Sequence, residues 1–354
     1  MQIHLLSGFL GSGKTTAVQH AANILLQENK KIGVITNDQG KHLVDGDFFK
    51  TLGLPNRQVI NGCFCCNYNQ LEENIQSLID TNNINVLFAE SVGSCTDIVA
   101  TVLKPLLQQR PDASLTVSTF ADIRLLQMML TGKHSFDKTI QYIFLKQLEE
   151  ASIIVINKID LVDKEALMKV KELMKENYRN KILVYQNSLE DQSVIKWLQI
   201  LDTDKIKKKS AKAQSLNIDY DIYAEGETKL AWFDQSLEVY SVTNNALLHI
   251  EHLINNIHKK IMQRRYSIGH LKFLVNNKQK VSFISNTEPP VLLAREQLST
   301  ASLLINVRVQ ATPKHIQTII EETMQEEEKA SGCKIIVNSF AAFRPRYPKP
   351  AYRM

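Results

Sequence analysis

The chain has 354 residues, a net charge of +5, 44% hydrophobic and 22% charged residues, which excludes a disordered or fibrous protein and leaves room for two domains of ordinary size. No apolar run approaches the ~18 residues a membrane-spanning helix needs, and the opening MQIHLLSGFLGSGKTT has neither a basic n-region nor a small-residue cleavage site, so a cytoplasmic location is expected. Residues 1–200 carry 20 Lys and Arg against 21 Asp and Glu and the remainder 22 against 16, which places the basic excess in the C-terminal part.

The first predicted strand, Gln2–Leu6, leads through a glycine-rich stretch into a helix over Thr15–Gln27. Further β-rich runs at Lys31–Thr36, Asn85–Glu90, Leu115–Phe120, Ile153–Asn157 and Ile182–Tyr185 alternate with helical periods at Gln70–Thr81, Asp97–Gln109 and Lys164–Asn177. That alternation predicts a doubly wound α/β domain with a mostly parallel sheet over residues 1–202. Lys205, Lys207, Lys208, Lys209 and Lys212, with the aperiodic polar stretch that follows, read as a solvated linker over 203–235. Residues 236–354 run strand (Leu237–Val242), helix (Ala246–Met262), strands (His270–Val275 and Lys280–Ser285), strand (Leu303–Val309), helix (Pro313–Ala330) and strand (Lys334–Phe340). This is the order of a second, smaller α+β domain of split βαβ type. From Phe343 to Met354 three prolines predict an extended segment.

Gly8-Phe9-Leu10-Gly11-Ser12-Gly13-Lys14-Thr15 matches G-x-x-x-x-G-K-[ST] between a strand and a helix, the setting that a P-loop NTPase requires. Gly11, Ser12, Gly13, Lys14, Thr15 and Thr16 are the candidates for cradling phosphates, with Lys14 reaching the β and γ oxygens and the Thr15 hydroxyl able to bind Mg²⁺. Asn157-Lys158-Ile159-Asp160 closes a later strand, where ligands gather in open α/β sheets. There Asp160 can accept from guanine N1 and N2 groups, Asn157 can bond the base and the Lys158 stem can lie across the ring, which favours GTP over ATP. Asn187-Ser188, after the next strand, can close over the base. Glu90 can hold Mg²⁺ directly or through water, and Gly93, three residues on, lets a backbone N–H approach a γ-phosphate. Asp38, in Asn37-Asp38-Gln39-Gly40, completes the catalytic candidates as a Mg²⁺ or water-positioning group. These segments contain no arginine to stabilise the transition state, so slow basal hydrolysis is expected.

Five cysteines, three of them within Asn61-Gly62-Cys63-Phe64-Cys65-Cys66-Asn67, are no framework for a secreted disulfide scaffold. Three thiolates select soft or borderline metals and leave one vertex of a tetrahedron open for exchange, so Cys63, Cys65 and Cys66 are candidate ligands for Zn²⁺ or Co²⁺. Cysteines acting as small buried hydrophobes, or a redox-active Cys65–Cys66 pair, are the competing readings. Cys95 reads as a half-buried structural cysteine. His249 and His252, one helical turn apart near Glu251, read as a solvated helix face.

Taken together, GFLGSGKTT, GCFCC, ESVG and NKID over residues 8–160 resemble the CobW-like branch of the metal-chaperone GTPases, relatives of the nickel chaperones UreG and HypB, and the C-terminal part resembles that family's second domain. The resemblance implies a GTPase that binds zinc, cobalt or nickel at the cysteine motif and couples GTP binding or hydrolysis to metal delivery. Its partners would be a client metalloprotein or a cobalamin-related enzyme and, in a nucleotide-dependent homodimer, a second copy; nucleic acid and membrane are not implied. Gly11 to Thr16 would cradle phosphates, Thr15 and Glu90 would serve Mg²⁺, Asp160 would read guanine, and Cys63, Cys65 and Cys66 would ligate the metal. The C-terminal domain, with Arg308 after a strand, would select the partner. The chain departs from the family where Asn37-Asp38-Gln39-Gly40 stands for Asn-Glu-x-Gly and Ser94-Cys95-Thr96-Asp97 for Leu-Ala-Asp-Pro, and it lacks a long histidine-rich tract. A regulatory GTPase servicing a cobalamin- or corrinoid-dependent enzyme, with structural or redox cysteines, is the alternative.

Overall fold

Short runs of β-branched and apolar residues, such as Ile153-Ile154-Val155-Ile156, are buried on both sides in this computed structural model, as strands covered by helices on two faces must be. The structure describes all residues except 38–48, 50–52, 61, 134–135, 285–288 and 294–295, and all of those side chains except that of Ala211. The elements of the first part are β1 (Gln2–Ser7), α1 (Lys14–Gln27), β2 (Ile32–Asn37), β3 (Asn56–Val59), α2 (Tyr68–Asn82), β4 (Val86–Glu90) and α3 (Lys104–Gln109). They continue with β5 (Ser114–Asp122), α4 (Ile123–Leu130), α5 (Lys138–Glu150), β6 (Ile153–Asn157), α6 (Lys164–Asn177), β7 (Ile182–Gln186) and α7 (Asp191–Leu201). The strands form one sheet in the order β3-β2-β4-β1-β5-β6-β7, every neighbouring pair parallel. Loops that follow the strands therefore open at a single edge. Register aligns their last residues: Glu90 lies beside Leu6 and Thr36, and Asn157 beside Asp122 and Gln186.

β3 is absent from the sequence reading because Asn56-Arg57-Gln58-Val59 holds one apolar residue and lies at the sheet edge. α5 is absent because its buried face mixes Ile140, Ile143, Phe144 and Leu148 with Gln147 and Glu150, which blurs the apolar period. The helix expected over Asp97–Gln109 begins as a π-helical turn, Val99–Leu103, before α3. Pro105 has no N–H for the Thr101 carbonyl, so the ladder widens there and the Lys104 N–H reaches Val99. Trp197 of α7 locks that helix to the sheet: its ring meets Phe120 edge-on at 5.3 Å, and its Nε1–H donates to Ser118 Oγ at 3.1 Å. Burial of such a side chain contributes about 2–3 kcal/mol.

The stretch 203–235 is not a linker. It forms α8 (Asp204–Ala211), α9 (Tyr220–Thr228) and the first half of β8 (Leu230–Tyr240). Lysine is a good helix former, and in α8 Lys205 and Lys208 stay exposed while Ile206 and Ser210 are buried. Ile218 and Tyr223 pack with Ile143 of α5, which anchors α9.

The chain divides into two compact units: residues 1–39, 52–226 and 347–354, and a second unit that takes in 227–346. The second holds β8, α10 (Ala246–Gln263), β9 (Ile268–Val275), β10 (Gln279–Phe283), β11 (Thr300–Gln310), α11 (Pro313–Ser331) and β12 (Lys334–Phe343). Ser285, expected in the fourth of its elements, lies outside the described residues. The strands form an antiparallel sheet in the order β10-β9-β11-β8-β12. Ile250, Ile254, Ile257 and Ile261 of α10 and Ile316, Ile319 and Ile320 of α11 share one core with Phe273, Ile305 and Val307 of the sheet. Among the described residues no helix is long and apolar enough to cross a membrane.

Arg308 does not face a partner as expected. Strand alternation turns it to the sheet face opposite the helices, where it is fully buried, stacks 4.0 Å over the Trp232 ring and pairs with Asp234 at 2.7 Å. Arg308→Met is expected to destabilise the protein by about 3–5 kcal/mol, because the Asp234 carboxylate stays buried without its cation. Adding Asp234→Asn should restore part of the loss, read from urea unfolding midpoints.

Candidate nucleotide and metal site

Gly11 (φ 73°) and Gly13 (φ 89°) hold left-handed backbone in the phosphate loop, and a Cβ at Gly13 would come within 2.3 Å of the Asn157 amide nitrogen. A side chain is strained at Gly11 and both strained and obstructed at Gly13. The loop wraps its own lysine: Lys14 Nζ donates to the Gly8 carbonyl at 2.7 Å. Thr15, in the first turn of α1, donates its hydroxyl to Glu90 Oε1 at 3.0 Å, with both residues buried. A hydroxyl and a carboxylate brought together at the head of a phosphate loop are hard oxygen donors of the kind Mg²⁺ takes.

The loop after Glu90 is clamped by residues the sequence reading missed. Gln147 of α5 donates to the carbonyls of Gly93 (3.0 Å) and Cys95 (2.7 Å). Glu150, one turn on, accepts from the Thr96 hydroxyl and the Val99 N–H, each at 3.3 Å. Burial, reinforced by the nearby Asp97 carboxylate, pushes Glu150 up to about 8. A glutamine and a glutamate inside a helix carry no sequence signal for such a role. Gly93 itself is packed so closely that a Cβ would meet the Leu10 backbone nitrogen at 2.9 Å.

At the other end of the sheet Asn157 and Lys158 turn toward the phosphate loop rather than outward. Asn157 Nδ2 donates to the Ser12 carbonyl at 2.9 Å, while its Oδ1 accepts from the Ser188 hydroxyl at 2.8 Å. Lys158 Nζ reaches the Gly11 carbonyl at 2.7 Å and Asp122 Oδ2 at 3.1 Å. Burial of Asp122 opposes ionisation, but Lys158 and Arg124 outweigh it and hold its carboxyl below the usual range. Asp122, at the end of β5, is thus a third residue that sequence reasoning passed over. Asn187 Oδ1 accepts from the Leu189 N–H within its own turn at 3.0 Å. Asp160 is exposed at the same edge.

The cysteines stand in the turn that follows β3 and precedes α2. Cys63 Sγ lies 2.7 Å from Cys65 Sγ and 3.3 Å from Cys66 Sγ, and Cys65 and Cys66 are 3.9 Å apart. A tetrahedral zinc with 2.3 Å bonds sets sulfurs about 3.8 Å apart, so the donors fit once Cys63 and Cys65 open by about 1 Å. The hydrogen bond to Cys63 comes first in raising the thiol of Cys65 and, with burial, in pushing Cys66 up to about 11. Cys95 is fully buried rather than half-buried, and its thiol hydrogen-bonds Cys65. An open cavity of about 500 Å³ lies beside Cys66, lined by Ile60, Asn67, Asn69, Gln70 and Ala351.

Two devices hold this turn. Asn37, the last residue of β2, donates to the carbonyls of Val59 (3.0 Å) and Gly62 (2.7 Å) and accepts from the Phe64 N–H (2.9 Å). Segment 347–354 crosses over it: the Lys349 N–H donates to Cys66 Sγ at 3.3 Å and the Ala351 N–H to the Cys65 carbonyl at 2.8 Å. Arg353 Nε then donates to Asp97 Oδ2 at 2.8 Å, an oxygen that also accepts from the Tyr220 hydroxyl. Asp97 sits at φ 65°, an uncommon backbone for a non-glycine, and these contacts hold it there. Asp38 and Asn61 lie outside the described residues.

The sequence pattern of the nucleotide-binding domain of CobW/HypB/UreG matches residues 2–185. The chain belongs to that family. It is 38% identical over 96 residues to the zinc chaperone YjiA of Escherichia coli, a match covering 27% of this chain and 30% of YjiA. It is 28% identical over 187 residues to the zinc chaperone YeiR of the same organism, covering 51% of this chain and 54% of YeiR. The chain thus spans about half the length, or less, of these relatives. Among solved structures, HypB from Helicobacter pylori in complex with nickel aligns with a TM-score of 0.44 and 19% identity, over 61% of this chain and 91% of that one.

In this member of the CobW/HypB/UreG family the strap over the cysteines makes a direct prediction. Deleting 347–354 should speed the reaction of Cys66 with Ellman's reagent several-fold, and Arg353→Ala should give a smaller increase with the fold unchanged by circular dichroism. Glu150 makes another. Its proton is held in the folded state up to about pH 8 but released near 4.5 when unfolded, so the folded chain binds the extra proton between these values. Stability should therefore be highest below about pH 4.5 as far as this group is concerned and fall toward pH 8, by up to about 1.4 kcal/mol per pH unit. Glu150→Gln should flatten that slope in a pH series of unfolding curves.

Proposed function

We propose that this protein is a GTP-hydrolysing metal carrier that binds Zn²⁺ or Co²⁺ at Cys63, Cys65 and Cys66 and delivers it to a client metalloprotein in the cytoplasm. The observation that carries the proposal is the Asn37 side chain: it grips both sides of the cysteine turn, and it ends the strand whose next residue, Asp38, is the candidate for sensing the γ-phosphate. Relatives named zinc chaperones favour zinc as the cargo.

In this reading Gly11 to Thr16 cradle the phosphates, and Lys14 carries positive charge to the β and γ oxygens. Asp160 reads the guanine edge, with Asn157, Lys158, Asn187 and Ser188 shaping the loops beneath it. Thr15 and Glu90 would hold Mg²⁺, which when bound neutralises charge on the phosphates. Water attacks the γ-phosphorus, the bond to the β–γ bridging oxygen breaks, and GDP and phosphate leave. Gly93 and Asp38 follow the loss of the γ-phosphate, and Asn37 passes the change to the cysteine turn. Coupling of this kind is reciprocal, so metal tightens GTP by the factor by which GTP tightens metal. The unit of residues 227–346 selects the client, and a nucleotide-dependent homodimer supplies a cation for the transition state.

The test is Zn²⁺ and Co²⁺ affinity of the full chain with GTP and Mg²⁺, with GDP, and without nucleotide, beside Cys65→Ser. At least a roughly tenfold tightening by GTP, lost in Cys65→Ser, is expected; equal affinity in all three states overturns the gating. Because the thiols must lose protons to bind, affinity should rise with pH. Lys14→Ala should lower hydrolysis on the order of 10²-fold.

A further inference from the structure

Glu251 is not the partner of the two histidines on α10. Its Oε2 accepts from the Leu293 N–H at 2.7 Å. His249 and His252 instead converge on Glu327 of α11, with His249 Nδ1 2.9 Å and His252 Nδ1 3.1 Å from the same oxygen, Oε1. The ligand atoms of all three lie within 4.8 Å of one another. His249 and Glu327 are buried, each side chain 8% exposed, while His252 is 47% exposed.

We propose that His249, His252 and Glu327 form a second divalent-metal site, for Zn²⁺ or Co²⁺ held by two nitrogens and one oxygen. Distance is the first argument. Zinc with bonds of 2.0–2.1 Å at a tetrahedral angle sets neighbouring ligand atoms about 3.3 Å apart; the two nitrogen-to-oxygen spacings, 2.9 and 3.1 Å, lie within a few tenths of an ångström of that value, and the whole set is gathered within 4.8 Å. Charge is the second. A carboxylate this buried needs a compensating charge close by. The nearby cations of α10 are committed elsewhere: Lys260 pairs with Glu326 at 2.8 Å and Arg264 with Glu322 at 3.2 Å. A divalent ion satisfies the carboxylate and both ring nitrogens together.

The surroundings suit such a site. His249 Nε2 lies 3.4 Å from Ser241 Oγ, an outer partner that orients the ring. His252 opens the cluster to solvent, which leaves a coordination position for water or an incoming ligand and a route for exchange. Imidazole and carboxylate donors suit borderline ions and hold them less tightly than three thiolates do. The sequence reading of a solvated helix face fails because α11 covers the face that His249 occupies.

The site is independent of the proposed nucleotide gating, and one titration separates them. Co²⁺ is added to the full chain and followed by visible absorption, with the thiolate-to-cobalt charge-transfer band reporting the cysteines. Two cobalt ions per chain are expected. His252→Ala, at an exposed position, and Glu327→Gln, which keeps shape and hydrogen bonding, should each weaken one of them at least about 100-fold while the thiolate band is retained. Cys65→Ser should do the reverse, abolishing the thiolate band and leaving the second ion bound. Binding of a single ion by the unaltered chain, or a second ion indifferent to both His252→Ala and Glu327→Gln, overturns the proposal without touching the cysteine site.

Discussion

Parallel strands impose one constraint from which both halves of the candidate nucleotide and metal site follow. Because all seven strands of the first sheet run the same way, the cysteine turn, Asn37, Glu90, the phosphate loop, Asp122, Asn157 and Ser188 emerge at one edge in that spatial order. The metal-binding candidates therefore lie on the Glu90 side of the phosphate loop, and the guanine-reading candidate lies on the other. A change at the γ-phosphate end of a nucleotide would reach the cysteines across two strands, with Asn37 as the polar link.

The cysteine turn is held under opposing demands. With the three sulfurs packed within 2.7–3.9 Å of one another, the thiols of Cys65 and Cys66 resist deprotonation, and a metal cation reverses that preference. Asn37, bonded to Gly62 and Phe64, and segment 347–354, bonded to Cys65 and Cys66, confine the turn. The same segment grips Asp97, so the cysteine turn and the loop after Glu90 share one fastening. Gln147 and Glu150 hold that loop from the opposite side, and the cost of burying Glu150 is reflected in its retained proton.

The second unit shows how position within a sheet overrides residue type. Arg308, a surface residue by composition, is buried against Trp232 and Asp234 because its strand register turns it there. His249 is buried for a related reason: α10 lies on the sheet and α11 lies beside it, so a residue on the flank between the helices is enclosed. Helix periodicity alone reports the face toward the sheet and is silent about the flank.

Sequence by itself determined the fold class, the order of most elements and the chemistry at the strand ends, since apolar runs alternating with amphipathic periods follow from burial, and GFLGSGKTT, NKID and GCFCC are local patterns whose spacing is their meaning. It left out β3, α5 and the helices of 203–235, where polar residues occupy buried or edge positions and break the period, and also α4 and α7, which at 8 and 11 residues show few turns of a period. Tertiary structure alone decided which polar side chains gather at the candidate sites: Asn37, Asp122, Gln147 and Glu150, the contact of Cys95 with Cys65, the strap of 347–354 and the meeting of His249 and His252 with Glu327. Each joins residues that are distant in the chain or set by packing rather than local period, and no pattern along one strand or helix encodes a partner that another element brings to it.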